Sequence, residues 1–338
     1  MTDEFRAIIR LSHNESPFGP SLRALRAIEE NLAHLDRYVG DELDQLTTAI
    51  ATHERIAPEQ IVLGEILDVL GMFLSAQGGP GGEFIYSEPG YTALVDAVVP
   101  AGCKAVAMPL NDGLENDLTA IASSVNERTR AVYLVNPHNP SGTVSPAAEF
   151  IKFVHDLSKR ALVIVDEAYL DYTLDPERRT VAGLVRDGRQ VVVFRTFAKI
   201  HGLAGLAIGY VLAPAELARS LRQIGIGAFH GLNRLGLVAA QASLGDRAHI
   251  TAVRTAVAAE RESWHALFRA SSVSFSAAQG SFVFFDAGRR HGDVTAALAA
   301  RGIAIKQPYP AMPTWLRISI GLPHDNALAR KIVADSLR

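Results

Sequence analysis

Five short apolar runs, at residues 84–87, 105–108, 131–135, 162–165 and 191–194, are separated by helix-length segments, and this rhythm constrains the fold more than any other feature. Runs that stay apolar at successive positions, with valine and isoleucine prominent, have no face to offer water, so they read as strands buried on both sides. Strands that alternate with helical patterns build a largely parallel sheet with helices over both faces. The expected class is therefore α/β. With 338 residues, 48% of them hydrophobic, the chain can bury one large core or two unequal ones. Ahead of the strands, residues 21–35 put Leu22, Leu25, Ile28, Leu32 and Leu35 on one stripe, which predicts an amphipathic helix starting after Gly19-Pro20. Beyond about residue 240 the texture changes to a long helical region at 247–269 and short strands at 282–286, 303–306 and 316–320, a smaller α+β unit.

Several function classes fall away on composition. A net charge of −3 and the lack of a dense basic stripe argue against nucleic acid as a partner. The single cysteine, Cys103, excludes an internal disulfide framework and a thiolate metal cluster; no metal is expected, and a reducing compartment fits. The start, Met1-Thr2-Asp3-Glu4-Phe5, lacks the basic-then-apolar order of a secretory signal, and no apolar run reaches membrane-spanning length. The expectation is a cytoplasmic protein with no membrane partner.

Open parallel sheets bind ligands beyond the carboxyl ends of their strands, and three strand ends here carry reactive side chains. The run at 131–135 leads into Asn136-Pro137-His138-Asn139-Pro140-Ser141-Gly142, that at 162–165 into Asp166-Glu167-Ala168-Tyr169, and that at 191–194 into Arg195-Thr196-Phe197-Ala198-Lys199. A lone amine delivered to such a site suits Schiff-base chemistry, because lysine is rarely withdrawn from water without a task. Taken singly, each residue has a plainer explanation. An aspartate after a strand often caps the next helix, an asparagine before proline favours a turn, and Arg317 could sit on the exposed face of a strand. The cap does not account for Tyr169.

In their order and separations these segments join others: Asn14-Glu15-Ser16-Pro17-Phe18-Gly19-Pro20, Arg37-Tyr38, Glu88-Pro89-Gly90-Tyr91, Gly202-Leu203-Ala204-Gly205 and Trp315-Leu316-Arg317-Ile318-Ser319. Nearly end to end, the chain resembles the fold-type I pyridoxal-phosphate enzymes of aminotransferase class I/II, nearest the histidinol-phosphate aminotransferase branch. The resemblance implies the PLP-transferase fold: an N-terminal arm and helix over 1–36 that join the small domain, a large cofactor-binding domain over 37–240 and a small domain over 241–338. It also implies pyridoxal 5'-phosphate as cofactor, an amino donor and a 2-oxo acid as substrates, and a homodimer in which Tyr38 reaches the partner's site. By the same resemblance, Lys199 is the Schiff-base residue and proton carrier, and Asp166 keeps the cofactor's ring nitrogen protonated. Tyr169 and Asn139 address the ring's phenolic oxygen, Tyr91 stacks on the ring, and Thr196 lies in the phosphate cradle with Glu65, Ile66 and Tyr38. Arg317 grips the substrate carboxylate with its planar fork. Asn14, Phe18 and Gly19 belong to an arm that closes over the substrate, and Lys306 stands where the histidinol-phosphate branch usually has an arginine for the substrate's phosphate.

The chain departs from the pattern at the cofactor phosphate. Gly64-Glu65-Ile66-Leu67-Asp68 replaces the usual glycine and small residue, Ala198 replaces a serine, and Ala207 an arginine. A helix N-terminus at Glu65 and Ile66 still offers amides, but an acidic Glu65 opposes a dianion unless it points away. Either a replacement cation stands near the phosphate, with Arg195, His201, Arg234 and Lys306 as candidates, or the cofactor is bound weakly. Two further readings stay open: a pyridoxal-phosphate decarboxylase, lyase or racemase on the same fold, and a non-catalytic homologue that has lost its phosphate grip.

Overall fold

The computed structural model describes residues 8–306 and 308–338; the acidic start at residues 1–5 and the beginning of the arm lie outside the described residues. The strands are β1 (Ile9–Leu11), β2 (Ile61–Leu63), β3 (Glu83–Glu88), β4 (Lys104–Pro109), β5 (Thr129–Val135), β6 (Leu162–Asp166), β7 (Val191–Thr196), β8 (Gly209–Leu212), β9 (Phe282–Asp286), β10 (Ile303–Ile305) and β11 (Trp315–Ser319). Seven of them form one sheet in the order β2-β8-β7-β6-β5-β3-β4, with only β8 running against the rest.

The period of two in the strand sequences divides this sheet between two cores. Val132, Leu134, Val163, Val165, Val191 and Val193 face one, and Tyr133, Val135, Ile164, Val192 and Phe194 face the other. Every residue of β7 is buried, as the continuous apolar run predicted. The edge strand β4 alternates between half-buried and exposed positions instead, because it has a neighbour on one side only. The sequence pattern gave no sign of the three-residue β1 and β2 or of β8, which are too short or too glycine-rich to show a period.

A third core surrounds the antiparallel pair β9–β11, with Trp264, Phe268, Phe282 and Phe285 at its centre. The helix Arg247–Ala270 supplies the first two of these aromatics. The parallel pair β1–β10 ties the arm to this part of the chain.

The arm divides after that strand. Its helix, Leu22–Asn31, is capped by Ser21, whose side chain accepts from the Ala24 amide. It packs on the helix Arg234–Leu244, and Ala24 is completely buried in a core of the large sheet, so the helix sides with the large core rather than with the small unit. Of the leucine stripe only Ile28 turns inward: Leu22 is 72% exposed and Leu35 62%. Close approach of two helices favours the small Ala24 at the contact, which leaves the larger side chains outside.

Candidate active site

A cleft of about 740 Å³ opens at the carboxyl ends of β3, β5, β6 and β7, where it also meets the arm and the segment after β10. Asp166, Lys199, Tyr169, Asn139, Tyr91, Thr196, Glu65, Asn14, Arg317 and Lys306 all line it. Residues from eight separate stretches of chain therefore meet in one cavity.

Asp166, the last residue of β6, is 2% exposed. Its Oδ1 accepts from the Ala168 amide at 2.9 Å and its Oδ2 from the Tyr133 hydroxyl at 3.0 Å. Burial pushes its carboxyl up to about 6, against the pull of these two donors and of the Lys199 charge. Tyr133 was not among the residues singled out from the sequence. The available signal was a tyrosine within an otherwise aliphatic buried strand, whose hydroxyl must find a partner.

Lys199 is half-buried and lies just beyond β7, with Nζ donating to the His13 carbonyl at 3.3 Å and standing 5.9 Å from the centre of the Tyr169 ring. The loop after it turns at Gly202, which has φ +72°; a Cβ there would come within 2.3 Å of the Gly19 carbonyl oxygen. Only glycine lets the arm lie against the lysine loop. Gly19 and Phe18 act at this distance: neither lines the cleft, and Phe18 packs against the third core.

Asn14 is held in the left-handed region at φ 54°, which asparagine tolerates better than most residues. Its amide donates to Ser319 Oγ at 2.9 Å, Ser319 Oγ donates to its Oδ1 at 2.7 Å, and its Nδ2 donates to the Tyr169 hydroxyl at 3.0 Å. Arg317, from the middle of β11, is 5% exposed. It donates to Asn139 Oδ1 at 2.6 Å and to the Ser12 carbonyl at 2.5 Å, and its Nε is buried without a partner. Arg317 is thus part of the cleft wall and not the solvent face of a strand.

The other end of the cleft carries the departures. Glu65 does not point away: it lines the cleft and accepts a short hydrogen bond from Thr196 Oγ1, which in turn accepts from the Ala198 amide at 2.9 Å. Burial raises the Glu65 carboxyl to about 7. Ile66 is buried in a core of the large sheet and precedes the helix Leu67–Gly78 without a side-chain cap. Ala207 stays outside the lining.

Three of the four expected replacement cations are engaged elsewhere. Arg195 is buried among Glu167 at 2.9 Å, Glu54 at 3.7 Å and Asp171 at 3.9 Å. Arg234 pairs with Glu42 and donates to the Tyr38 carbonyl at 2.7 Å. His201 is hydrogen-bonded to Ser243 at 2.8 Å, and burial lowers it to about 4, which leaves it neutral at neutral pH. Lys306 alone of the four lines the cleft, where it is exposed. Tyr38 is 78% exposed outside the cleft, with its ring edge-on to Phe229 at 5.7 Å.

Pyridoxal phosphate can be tested against this cavity. Asp166 with two fixed donors, a half-buried amine on Lys199, the phenol of Tyr91 and the unpartnered Arg317 Nε fit the ring and a substrate carboxylate. The far end fits a phosphate with Glu65 neutral and opposes it with Glu65 ionised.

The family model for aminotransferase class I and II matches residues 6–332. An aromatic amino acid aminotransferase of Thermobifida fusca is 33% identical over 94% of this chain and 87% of its own length, and a histidinol-phosphate aminotransferase of Limosilactobacillus fermentum is 29% identical over 98% and 92%. Among solved structures, the histidinol-phosphate aminotransferase of Sinorhizobium meliloti in complex with pyridoxal-5'-phosphate superposes with a TM-score of 0.88 at 28% identity, covering 98% of this chain and 92% of that one. By sequence along nearly its whole length and by fold, the chain belongs to aminotransferase class I and II, the pyridoxal-phosphate-dependent transaminases.

Proposed function

We propose that this transaminase takes an amino acid with an apolar, preferably aromatic, side chain as amino donor and a 2-oxo acid such as 2-oxoglutarate as acceptor. The observation that carries this reading is Arg317. Its guanidinium is held by Asn139 and Ser12, lines the same cleft as Lys199, and keeps a buried Nε–H without an acceptor, which an α-carboxylate would satisfy. Pro308, Tyr309 and Pro310 give the cleft an apolar wall suited to such a side chain. The aromatic amino acid aminotransferase of Thermobifida fusca points the same way.

The residues that would hold pyridoxal phosphate are Asp166 at its ring nitrogen, Lys199 at its aldehyde, Tyr91 on its ring face, Tyr169 and Asn139 at its phenolic oxygen, and Thr196 with Glu65 at its phosphate. When bound, the cofactor supplies an electron sink for the carbon that carries the amino group. Lys199 Nζ moves the proton at that carbon, and Asp166 holds the proton at the ring nitrogen by remaining an anion beside it. Asn14 couples the arm to Tyr169, and Phe18 and Gly19 seat the arm that excludes water.

Lys306 supports a second reading. An exposed cation on the cleft wall suits a phosphorylated amine such as histidinol phosphate, although a lysine binds phosphate as a point charge without an arginine's fork. A half-reaction screen separates the two: each amine is added to the cofactor-loaded protein, and stoichiometric amination of the cofactor is followed. Aromatic amino acids are expected to react fastest. Turnover of histidinol phosphate alone would replace the first reading by the second.

We also infer a large domain over 37–240, a small domain over 241–338 and a cytoplasmic homodimer with Tyr38 offered to the partner's site. The exposed Leu22, Leu32, Leu35 and Tyr38 support such an interface. Among the described residues, no helix is long and apolar enough to cross a membrane.

A further inference from the structure

Four carboxyl groups line the cleft, those of Glu65, Asp68, Glu88 and Asp166, and the reading above uses only Asp166 fully. Glu65 is fixed by its neighbours. A Cβ on Gly209 would stand 3.0 Å from Glu65 Oε1, so the carboxyl lies directly over the backbone of β8. Thr196 Oγ1 accepts from the Ala198 amide, so its single proton is directed at Glu65 Oε1. The other Glu65 oxygen has no hydrogen-bond partner among the described residues, in a side chain that lines the cleft.

We propose that Glu65 is the hydrogen-bond donor of the phosphate end: as a neutral acid it gives its proton to a phosphate oxygen, so phosphate-bearing ligands bind together with one proton taken from solvent. This rests on the cofactor reading above. An acid O–H with its partner oxygen already engaged by Thr196 has one direction left for its hydrogen, which is the cleft. Ionised, the same group has only lone pairs to present to a dianion.

The surroundings favour the neutral form. Asp166 at the end of β6 and Asp68 in the helix Leu67–Gly78 add negative charge, while Lys199 and the Thr196 hydroxyl, from the end of β7 and the turn after it, act against them. Burial is the largest influence, and together they bring the group to about 7. Glu65 is itself exposed to the cleft, so a ligand that fills the cleft buries it further. Among the described residues no arginine competes for the role: Ala198 and Ala207 stand where the resemblance expects serine and arginine, and Arg195 and Arg234 are spent in ion pairs.

The experiment compares pyridoxine 5'-phosphate with pyridoxine, two ligands that lack the aldehyde and differ only in the phosphate. Their dissociation constants are measured by calorimetry on the full chain from pH 7.5 to 9, where the free phosphate is already a dianion. Effects of Asp166 and Lys199 on the ring cancel in the ratio. The preference for the phosphorylated ligand is expected to fall by about tenfold per pH unit in the wild type, the slope of one linked proton, and to become flat in Glu65→Gln. Heats in two buffers of different ionisation enthalpy should show one extra proton taken up with the phosphate at pH 8.5, a readout that needs no variant. A flat wild-type ratio, or an equal slope in Glu65→Gln, overturns the proposal. If such a result comes with borohydride-stable attachment of pyridoxal phosphate to Lys199, seen by peptide mass, only this inference fails. If neither ligand binds at any pH and no attachment forms, the cofactor reading fails with it.

Discussion

Asp166 and Glu65 sit in the walls of one cleft, both raised by burial, and they are supported in opposite ways. Asp166 receives two hydrogen bonds from groups inside the fold, the Ala168 amide and the hydroxyl of the buried Tyr133. Glu65 receives one, from Thr196, and has two aspartates among its influences. A carboxyl braced by fixed donors is prepared to be an anion once a cation arrives, whereas one with a single donor and acidic neighbours is prepared to stay neutral. The lesson is that the number of donors aimed at a carboxyl, more than its depth, decides which form the site is built for.

The sharpest way to break this contrast is at Asp166. Replacing it by asparagine keeps the shape and removes the charge, and transamination kcat is expected to fall by about 10²–10³-fold, the scale of losing a preorganised electrostatic group. A loss of less than tenfold in single-turnover rates would mean that Asp166 is braced for structure alone. Next in size is Arg317→Lys, which forfeits the fork between Asn139 and Ser12. Losing a charge-assisted hydrogen bond costs about 1.5–3 kcal/mol, so KM for an amino acid should rise by about 10- to 100-fold, with a smaller change for an amine that lacks the carboxylate.

The smallest effect is on stability. Both carboxyls bind protons more tightly when folded than when unfolded, so the cofactor-free protein is favoured below pH 4, where both forms are protonated. It loses that advantage as pH rises through about 6 for Asp166 and about 7 for Glu65. Melting temperature should therefore decline between about pH 4 and about pH 7. Glu65→Gln should flatten the upper part of the decline, and Asp166→Asn the lower part. An unchanged profile in both variants would show that the two groups titrate as ordinary carboxyls.

Much of the fold was legible because β5, β6 and β7 are apolar on both faces, a pattern that only a doubly covered sheet explains. The leucine stripe of residues 21–35 misled for an equally physical reason. Periodicity locates an apolar face but does not say what covers it, and here Ala24, not Leu22, meets the neighbouring helix. Asp166 and Lys199 were visible as reactive residues at strand ends. Tyr133 was hidden inside a strand, and nothing local marks Ser12 or His13, which take part through backbone carbonyls.

The sequence by itself determined the alternation of strands and helices, and with it the edge of the sheet at which reactive side chains emerge, because burial on two faces is a property of consecutive residues. Only the tertiary structure decided that Glu65 turns into the cleft, that Arg195 and Arg234 are consumed by Glu167 and Glu42, and that Arg317 faces Asn139 from 178 positions away. Charge pairing and desolvation depend on distances between segments remote in the chain, and those distances exist only once the cores have closed.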